Sequence, residues 1–253
     1  IASNYTKVNE QLGLSFSGNY HHNDGFFTNL HTHKKADKLD NGAGRIGLTW
    51  KPATHWTTRF ITSYEYSNQG GYPYGLYNAD KGTTEAVNYN NEGLYRRNLL
   101  TSGINIRYNG PHISFNSQTS YQYIQDKMGI DQDFSPRNIF YGQNKIRQHM
   151  YCQEFTVKSV NKSRYHWITG AFVFRQTINR KVDLSRFTDT TRHLTNSGIP
   201  TQGIAFYHQS TLDLLQGLSC SVGLRYDYEH ARCDFSKVQQ PLNGNGETKS
   251  LEQ

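Results

Sequence analysis

The sequence has no long apolar run, and the stretch Ala171-Phe172-Val173-Phe174 is typical of its longest ones. A transmembrane helix needs about 20 consecutive apolar residues, so no such helix is predicted. The mean hydropathy of −0.78 and the hydrophobic content of 35 % would ordinarily suggest a soluble protein. In a strand that buries every second residue, apolar side chains alternate with polar ones, so the mean hydropathy stays low. The low mean hydropathy therefore does not exclude a membrane β-barrel.

Cysteine and proline are scarce, and no leader segment is visible. Cys152, Cys220 and Cys233 are odd in number and lack C-x-x-C spacing, which argues against a zinc site or a disulfide framework. We predict three isolated thiols. The chain starts at Ile1 without a basic-then-apolar segment, so we expect any export signal to have been removed or to lie upstream.

The sequence also lacks the motifs of the common nucleic-acid and enzyme classes. Its net charge is +7, but lysine and arginine are dispersed, so we predict no nucleic-acid partner beyond non-specific polyanion contact. No G-x-S-x-G, H-E-x-x-H or Walker phrase occurs. We therefore predict no enzyme and no catalytic residue. Barrel enzymes remain the alternative, with Ser63, His149 and Glu65 as residues that could in principle form a triad.

What the sequence does contain is a period of two, most clearly from Arg45 to Tyr66. Ile46, Leu48 and Trp50 share one phase, and after a short break the second arm repeats the alternation. Alternation of this kind indicates a β-strand with one apolar face. The two arms are predicted to form a hairpin whose arms of about ten residues match tilted strands that cross a bilayer.

The same pattern recurs in about nine segments between Gln11 and Tyr228. Short connections of about three to six residues alternate with long ones of about twenty or more. Outer-membrane barrels pair short periplasmic turns with long extracellular loops, whereas soluble antiparallel domains have short connections on both sides. The predicted fold is therefore all-β: an antiparallel transmembrane β-barrel segment of about nine strands. The long segments Ser67 to Gly93 and Ile124 to Arg147 should emerge at one rim, and the short turns at the other.

Aromatic residues cluster at the predicted strand ends. Trp50, Trp56 and Tyr108 lie beside short turns, and a set of tyrosines lies where strands enter long segments: Tyr20, Tyr64, Tyr66, Tyr121, Tyr123, Tyr226 and Tyr228. Two aromatic girdles are typical of a membrane barrel. A soluble β-sandwich with tyrosines at its edges is the alternative. The strand at Tyr165 to Gln176 is ambiguous, because Ile168, Phe172 and Phe174 share one phase and Trp167 the other, which suggests a bulge.

Several phrases carry a resemblance to a known family. They are DGFF (24–27), KKADKLDNGAGRIGLTWKP (34–52), SYEYSNQGGYPY (63–74), QDFSP (132–136), QEFTVKS (153–159) and GLRYDYE (223–229). Together and in order, they resemble the barrel of TonB-dependent outer-membrane receptors, most of all the siderophore-receptor branch.

The resemblance implies a domain organisation and a function. Such receptors are barrels of 22 strands around an N-terminal plug, and they import scarce ligands with energy relayed by TonB. No TonB box or plug precedes Ile1, so we expect residues 1–253 to be part of a barrel whose plug and other strands lie elsewhere. The implied partners are outer-membrane lipid, the TonB complex and a small ligand such as a ferric siderophore, in the outer membrane of a Gram-negative bacterium. A non-transporting surface or adhesin protein is the alternative function.

Ligand contacts are expected from aromatic and cationic residues in the long segments, because rings give contact area and cations suit an anionic chelate. The predicted set is Phe26, Phe27, Tyr72, Tyr74, Tyr77, Arg137 and Tyr141. No cofactor and no metal site are predicted. The loop histidines His21, His22, His31 and His33 remain an alternative for metal or haem, and Asp80, Asp131 and Asp133 for calcium.

Overall fold

The computed structural model describes residues 2–160, 163–242 and 249–251, and this part of the chain is all-β. None of it is a helix long and apolar enough to cross a membrane. The strands are β1 (Ala2–Lys7), β2 (Leu12–Asn23), β3 (Leu39–Trp50), β4 (Trp56–Gln69), β5 (Tyr77–Asn78), β6 (Thr83–Thr84), β7 (Leu94–Asn109), β8 (Ile113–Asp131), β9 (Phe140–Ser159), β10 (Tyr165–Arg186), β11 (Thr191–Leu215), β12 (Leu218–Ala231), β13 (Asp234–Pro241) and β14 (Lys249–Leu251).

Twelve strands form a single antiparallel sheet in the order β1-β2-β3-β4-β7-β8-β9-β10-β11. Both β12 and β13 pair with β11, along different parts of its length, and β14 pairs with β13. The small hairpin β5-β6 is separate. The predicted strands correspond to β2 to β4 and β7 to β12, so the prediction of about nine barrel strands is confirmed. The short strands β1, β5, β6, β13 and β14 were not predicted, because none has a run of alternating residues long enough to detect.

The register divides the sheet into two faces. One row of directly paired residues runs through Leu12, Trp50, Thr58, Ile106, Ser117, Phe155, Ala171, Phe206 and Tyr226. Since side chains alternate along a strand, this row defines an apolar face. The same face holds the predicted lipid-facing set Leu12, Leu14, Phe60, Phe115, Val222 and Leu224. Ser15, Arg59, Gln118 and Arg225 lie on the opposite, polar face, as predicted.

The apolar face has no second sheet packed against it within the described residues. Leu224 is 79 % exposed and Val222 63 % exposed. In a sandwich, the inner faces of two sheets would interdigitate and bury these side chains. The sandwich alternative is therefore wrong for the part of the chain that the structure describes. An apolar face this extensive needs another apolar medium to cover it.

The bulge suggested in β10 is wrong. Its pairing with β9 and β11 runs without a shift over the whole shared length. Trp167 and Val173 lie on the apolar face, whereas Phe172 and Phe174 lie on the polar face, where their rings stack at 5.8 Å. Phe174 packs over Gly203 of β11, where a Cβ would meet its ring at 2.5 Å. The polar face thus carries an aromatic patch, and sequence periodicity alone misread it.

Two of the long segments are mostly strand. The connection from β8 to β9 is only residues 132–139, and that from β10 to β11 only residues 187–190. The predicted loop at Ile124 to Arg147 is therefore wrong in extent. Strand β10 has 22 residues, or about 70 Å at about 3.3 Å per residue, far beyond an apolar band of about 25 Å. Beyond the band the apolar face becomes polar, with Lys127 and Lys181, whereas Ile124, Ile130 and Val182 lie on the opposite face. The alternation therefore changes phase although the ladder continues.

At each rim, backbone hydrogen bonds link neighbouring connections. At one rim the Asn109 amide donates to the His55 carbonyl (2.8 Å) and the Val160 amide to the His112 carbonyl (2.7 Å). The Trp56 and Tyr108 rings are 5.0 Å apart here. At the other rim, loops 24–38, 70–93 and 132–139 meet. The predicted arrangement of connections is confirmed, except that residues 161 and 162 of the third short turn lie outside the described residues.

Candidate functional site

Loops 24–38, 70–93 and 132–139 form one structure at the second rim, which we call the loop assembly. Its buried apolar residues Ala36, Val87 and Tyr89 form a small core. Elsewhere among the described residues the only buried hydrophobic side chain is Ala205. The loops therefore have a core of their own, and the side chains they display are held by packing.

Asn29 joins the first loop to the second. Its side chain is 2 % exposed, its Nδ2 donates to the Tyr89 carbonyl (2.8 Å), and its Oδ1 accepts from the Tyr89 amide (3.3 Å). The Leu30 amide adds a bond to the Val87 carbonyl (2.9 Å). A buried side chain with satisfied donors and acceptors fixes the two loops in one arrangement.

Asp131 and Asp133 organise the third loop. Asp131 is 2 % exposed and accepts from the Phe134 amide (2.9 Å) and from the Asn91 amide and Nδ2 (both 3.2 Å). Asp133 accepts from the amides of Ile139 (3.0 Å) and Phe140 (3.1 Å). These carboxylates face N–H donors, so the calcium alternative for them is wrong.

The electrostatics of the two carboxyls differ. Burial raises the pKa of Asp131, and the neighbouring Asp133 acts in the same direction. Burial also opposes ionisation of Asp133, but hydrogen bonds from Asp131, Ser135 and Phe140 prevail and lower the pKa of Asp133. Asp133 is therefore the more readily ionised carboxyl of the pair.

Three aromatic rings meet across the second and third loops. The Tyr72 and Tyr74 rings are 5.6 Å apart, and the Tyr74 and Phe134 rings are 5.3 Å apart. Gly71, with a φ of 97°, makes the turn before them, and a Cβ there would meet Gly93 at 2.9 Å. Phe134 also has a positive φ, of 51°. Sequence reasoning missed Phe134 as a site residue, although it lies inside the phrase QDFSP.

The other predicted site residues are more dispersed. Phe26 is 77 % exposed and Phe27 53 % exposed, and their amides are fixed by Asp37 Oδ1, each at 2.9 Å. Tyr77 lies in β5 and is 69 % exposed, and Arg137 is exposed in the third loop. The structure thus brings Tyr72 and Tyr74 together and displays the other four around the same rim.

Tyr141 is not a loop residue. It lies in β9, opposite Asp131 and Ser185, and its ring packs over Gly129, where a Cβ would overlap the Tyr141 hydroxyl. Burial raises the pKa of Tyr141. The ring packs against the neighbouring strand β8 and is not part of a loop, so its predicted placement is corrected.

The histidines of the first long segment divide between strand and loop. His21 and His22 lie in β2, while His31 and His33 lie in the loop. His22 Nδ1 is 2.7 Å from Asp40 and Nε2 is 2.9 Å from Asp24, and the hydrogen bonds to Asp40 and Asp24 raise the pKa of His22. Within the described ranges, no group of three or more His, Cys, Asp or Glu side chains could hold a metal ion.

The residues considered for a catalytic triad are not assembled. Ser63 and Glu65 lie on the polar face of β4, whereas His149 lies on the apolar face of β9. His149 Nδ1 is 3.1 Å from the Tyr121 hydroxyl. A nucleophile and its base on opposite sides of a sheet cannot exchange a proton.

The polar face carries a wall of paired polar groups. The Tyr207 hydroxyl donates to Glu154 (3.0 Å) and lies 2.9 Å from the Thr156 hydroxyl. Arg225 lies over the Tyr207 ring and pairs with Asp227 at 2.8 Å. Such a wall is typical of a wet barrel interior.

Cys152, Cys220 and Cys233 are free thiols, as predicted.

No family model matches the sequence, and no curated protein matches it either. Solved structures do match. The ferric yersiniabactin uptake receptor FyuA from Yersinia pestis matches over 98 % of this chain and 39 % of its own, with a TM-score of 0.77 and 14 % identity. The ferric citrate transporter FecA matches over 94 % and 37 %, with a TM-score of 0.57 and 8 % identity.

A third match is the siderophore receptor PiuA from Acinetobacter baumannii, over 94 % of this chain and 46 % of its own, with a TM-score of 0.56 and 6 % identity. The chain therefore spans less than half the length of these structures. At such identities the likeness shows the fold alone. The chain is a segment of an antiparallel β-barrel, and its predicted resemblance to TonB-dependent receptors is confirmed at the level of the fold.

Proposed function

We propose that this chain is part of the barrel of an outer-membrane, TonB-dependent receptor that imports a ferric siderophore or a similar scarce nutrient without chemical change. The observation that carries the proposal is one sheet with an apolar face and a polar face, capped at a single rim by a loop assembly with its own core. A barrel of this kind places the ligand site outside the cell and leaves the polar face to line the interior.

We also propose that residues 1–253 are one portion of a larger barrel. Among the described residues, β1 pairs only with β2, and β12 pairs only with β11. In lipid each unsatisfied backbone group costs several kcal/mol, so two open edges are not stable there. Further strands must pair with both edges, and the plug and TonB contact belong to the same larger protein in this proposal.

The ligand site in this proposal is the surface of the loop assembly. Its contacts are Phe26, Phe27, Tyr72, Tyr74, Tyr77 and Arg137, to which the structure adds Phe134. Tyr72 and Tyr74 form its centre, because their rings are held together and are each 45 % exposed. Exposed rings on a fixed backbone give contact area at little entropic cost.

The test is ligand binding by the full-length protein that contains this chain. The Tyr72→Ala/Tyr74→Ala variant should bind its ferric chelate about 10- to 100-fold more weakly. A fully buried ring contributes about 1.5–3 kcal/mol, and each of these rings, 45 % exposed, has about half of its surface left to bury. Fluorescence quenching would be measured with ferric citrate, a ferric catecholate and a ferric hydroxamate. Tyr165→Ala is the matched control, because Tyr165 has the same 45 % exposure but lies at the short-turn rim.

Failure of all three ferric chelates to bind would refute iron import. Binding that is unchanged in the double variant would refute the site while leaving the transport class intact.

The orientation in the membrane gives a separate prediction. In a background with Cys220 and Cys233 replaced by serine, the Lys81→Cys variant should react with an impermeant thiol reagent on intact cells. The Thr54→Cys variant should react only after the outer membrane is permeabilised, because it lies at the opposite rim. Both positions are exposed in connecting segments, so labelling yield by mass spectrometry compares accessibility directly. The reverse labelling pattern would invert the proposed topology.

A further inference from the structure

A row of basic residues crosses four neighbouring strands of the sheet. Arg96 of β7 pairs with Lys127 of β8, Lys127 with Lys145 of β9, and Lys145 with Lys181 of β10. We call these four residues the basic row. Their register parity places all of them on the apolar face of the sheet, and Arg147 lies on the same face two residues from Lys145.

Like charges directly opposite one another on neighbouring strands destabilise a sheet. Within the described residues, none of the five basic side chains has an ion-pair partner. The nearest acid along β10 on this face is Asp183, and Arg192 already binds it, with Nε to Oδ1 at 2.8 Å. Arg96 has only an amide oxygen, that of Asn68, at 3.1 Å. Asp234 of β13 lies on the same face and is paired with Arg232. Among the described residues, the row is therefore a concentration of positive charge whose neighbouring acids are already paired.

The row lies just beyond the aromatic end of the apolar band. On β8, Phe115, Tyr121 and Tyr123 precede Lys127 in the same phase, and Tyr123 to Lys127 is about 13 Å along the strand. On β9 the order is Phe155, Tyr151, His149 and then Arg147 and Lys145. Aromatic rings mark the boundary of the hydrocarbon, and long basic side chains beyond them reach the layer of lipid headgroups.

An open groove of about 860 Å³ borders the row. Its lining includes Lys127, Lys145, Arg147 and Lys181, and also the carboxylates of Asp126 and Asp234, which are paired with Arg97 and Arg232. The groove has the size of a typical small-molecule site. Its unpaired cations suit an anionic group.

We propose that the basic row binds the phosphate groups of anionic lipid headgroups in the leaflet on the loop side of the membrane. The inference rests on the proposed membrane placement. Its occupant is a lipid because the row continues the apolar face, so a ligand held there has its acyl chains in the bilayer. The phosphates supply the counter-charge that the four strands lack.

The test uses the full-length protein in detergent, with diphosphoryl lipid A as the probe and native mass spectrometry as the readout. The Lys127→Gln/Lys145→Gln/Lys181→Gln variant should bind the lipid at least about tenfold more weakly. The Lys51→Gln/Lys81→Gln/Lys158→Gln variant removes the same charge outside the row and should bind as the unmodified protein does. Heat-modified migration on gels checks that both variants keep a folded barrel.

Inorganic phosphate separates a lipid site from a free-anion site. If millimolar phosphate fails to displace the lipid, the lipid proposal is supported, and if phosphate displaces it readily, the proposal is overturned. Equal lipid affinity in the two triple variants would also overturn it. Ferric-chelate binding is measured in parallel: its absence, with the lipid difference intact, would refute the import function and support the lipid site.

Discussion

The Ile104→Arg substitution is expected to lower the free energy of unfolding of the membrane-embedded barrel by about 2–4 kcal/mol. Ile104 lies on the apolar face of β7, midway between Tyr108 and Leu100, and is directly paired with Phe60 and Thr119. A guanidinium placed there is transferred from water into the hydrocarbon of the bilayer. At this depth the side chain is too far from either membrane–water boundary to reach water easily. Denaturant unfolding of the full-length protein in lipid vesicles measures the change.

Thr101→Arg is the matched control for this substitution. Thr101 lies on the same strand, three residues away, but on the polar face opposite Ser63 and Gln122. The same charge there stays in a polar, hydrated environment, so the change in stability should be within about 0.5 kcal/mol. Equal destabilisation by both substitutions would show that the two faces lie in similar environments. That result would contradict the membrane-barrel interpretation.

Asp131→Ala is expected to release the third loop and with it the proposed ligand surface. Its carboxylate accepts hydrogen bonds from donors of Asn91, Asp133 and Phe134. Each buried donor left without an acceptor costs about 1–3 kcal/mol, so the loop should open to water and hydrate these groups instead. Amide hydrogen exchange of residues 132–139 should accelerate by about 100-fold or more, and ferric-chelate affinity should fall with it.

Asp80→Ala is the control, because Asp80 is an exposed acid in the loop assembly. It should leave both exchange and affinity unchanged. Exchange in β8 and β9 below the loop should be slow in both variants, which separates local opening from unfolding of the sheet. Unchanged exchange at 132–139 in the Asp131→Ala variant would show that Asp131 does not hold the loop.

The strands inside the apolar band could be predicted from the sequence because one face there meets an apolar medium and the other a polar one. In β3, β4 and β12 apolar and polar residues alternate along the strand. The placement of Leu224 and Arg225 on opposite faces could therefore be predicted without the structure. The same signal fails at Phe172 and Phe174, where rings lie on the polar face. It also changes phase in the upper half of β8 and β10, where Ile124, Ile130 and Val182 lie on the face that is polar inside the band.

The proposed ligand surface was only partly predictable. Tyr72 and Tyr74 are close in sequence and were found by residue type, but Phe134 joins them from a different loop. The same is true of Asn29 with Tyr89 and of Asp131 with Asn91, whose partners are 60 and 40 residues apart. Tyr141 was misplaced because no local signal distinguishes a ring that packs over Gly129 from one that is displayed.

The sequence by itself determined the fold class, the two faces and the alternation of rims, because each follows from a local period of two and from short turn segments. Only the tertiary structure decided how far the strands extend, how the loops join, and that Arg96, Lys127, Lys145 and Lys181 form one row. These features depend on register between strands, and register is set by hydrogen bonds between residues far apart in the chain.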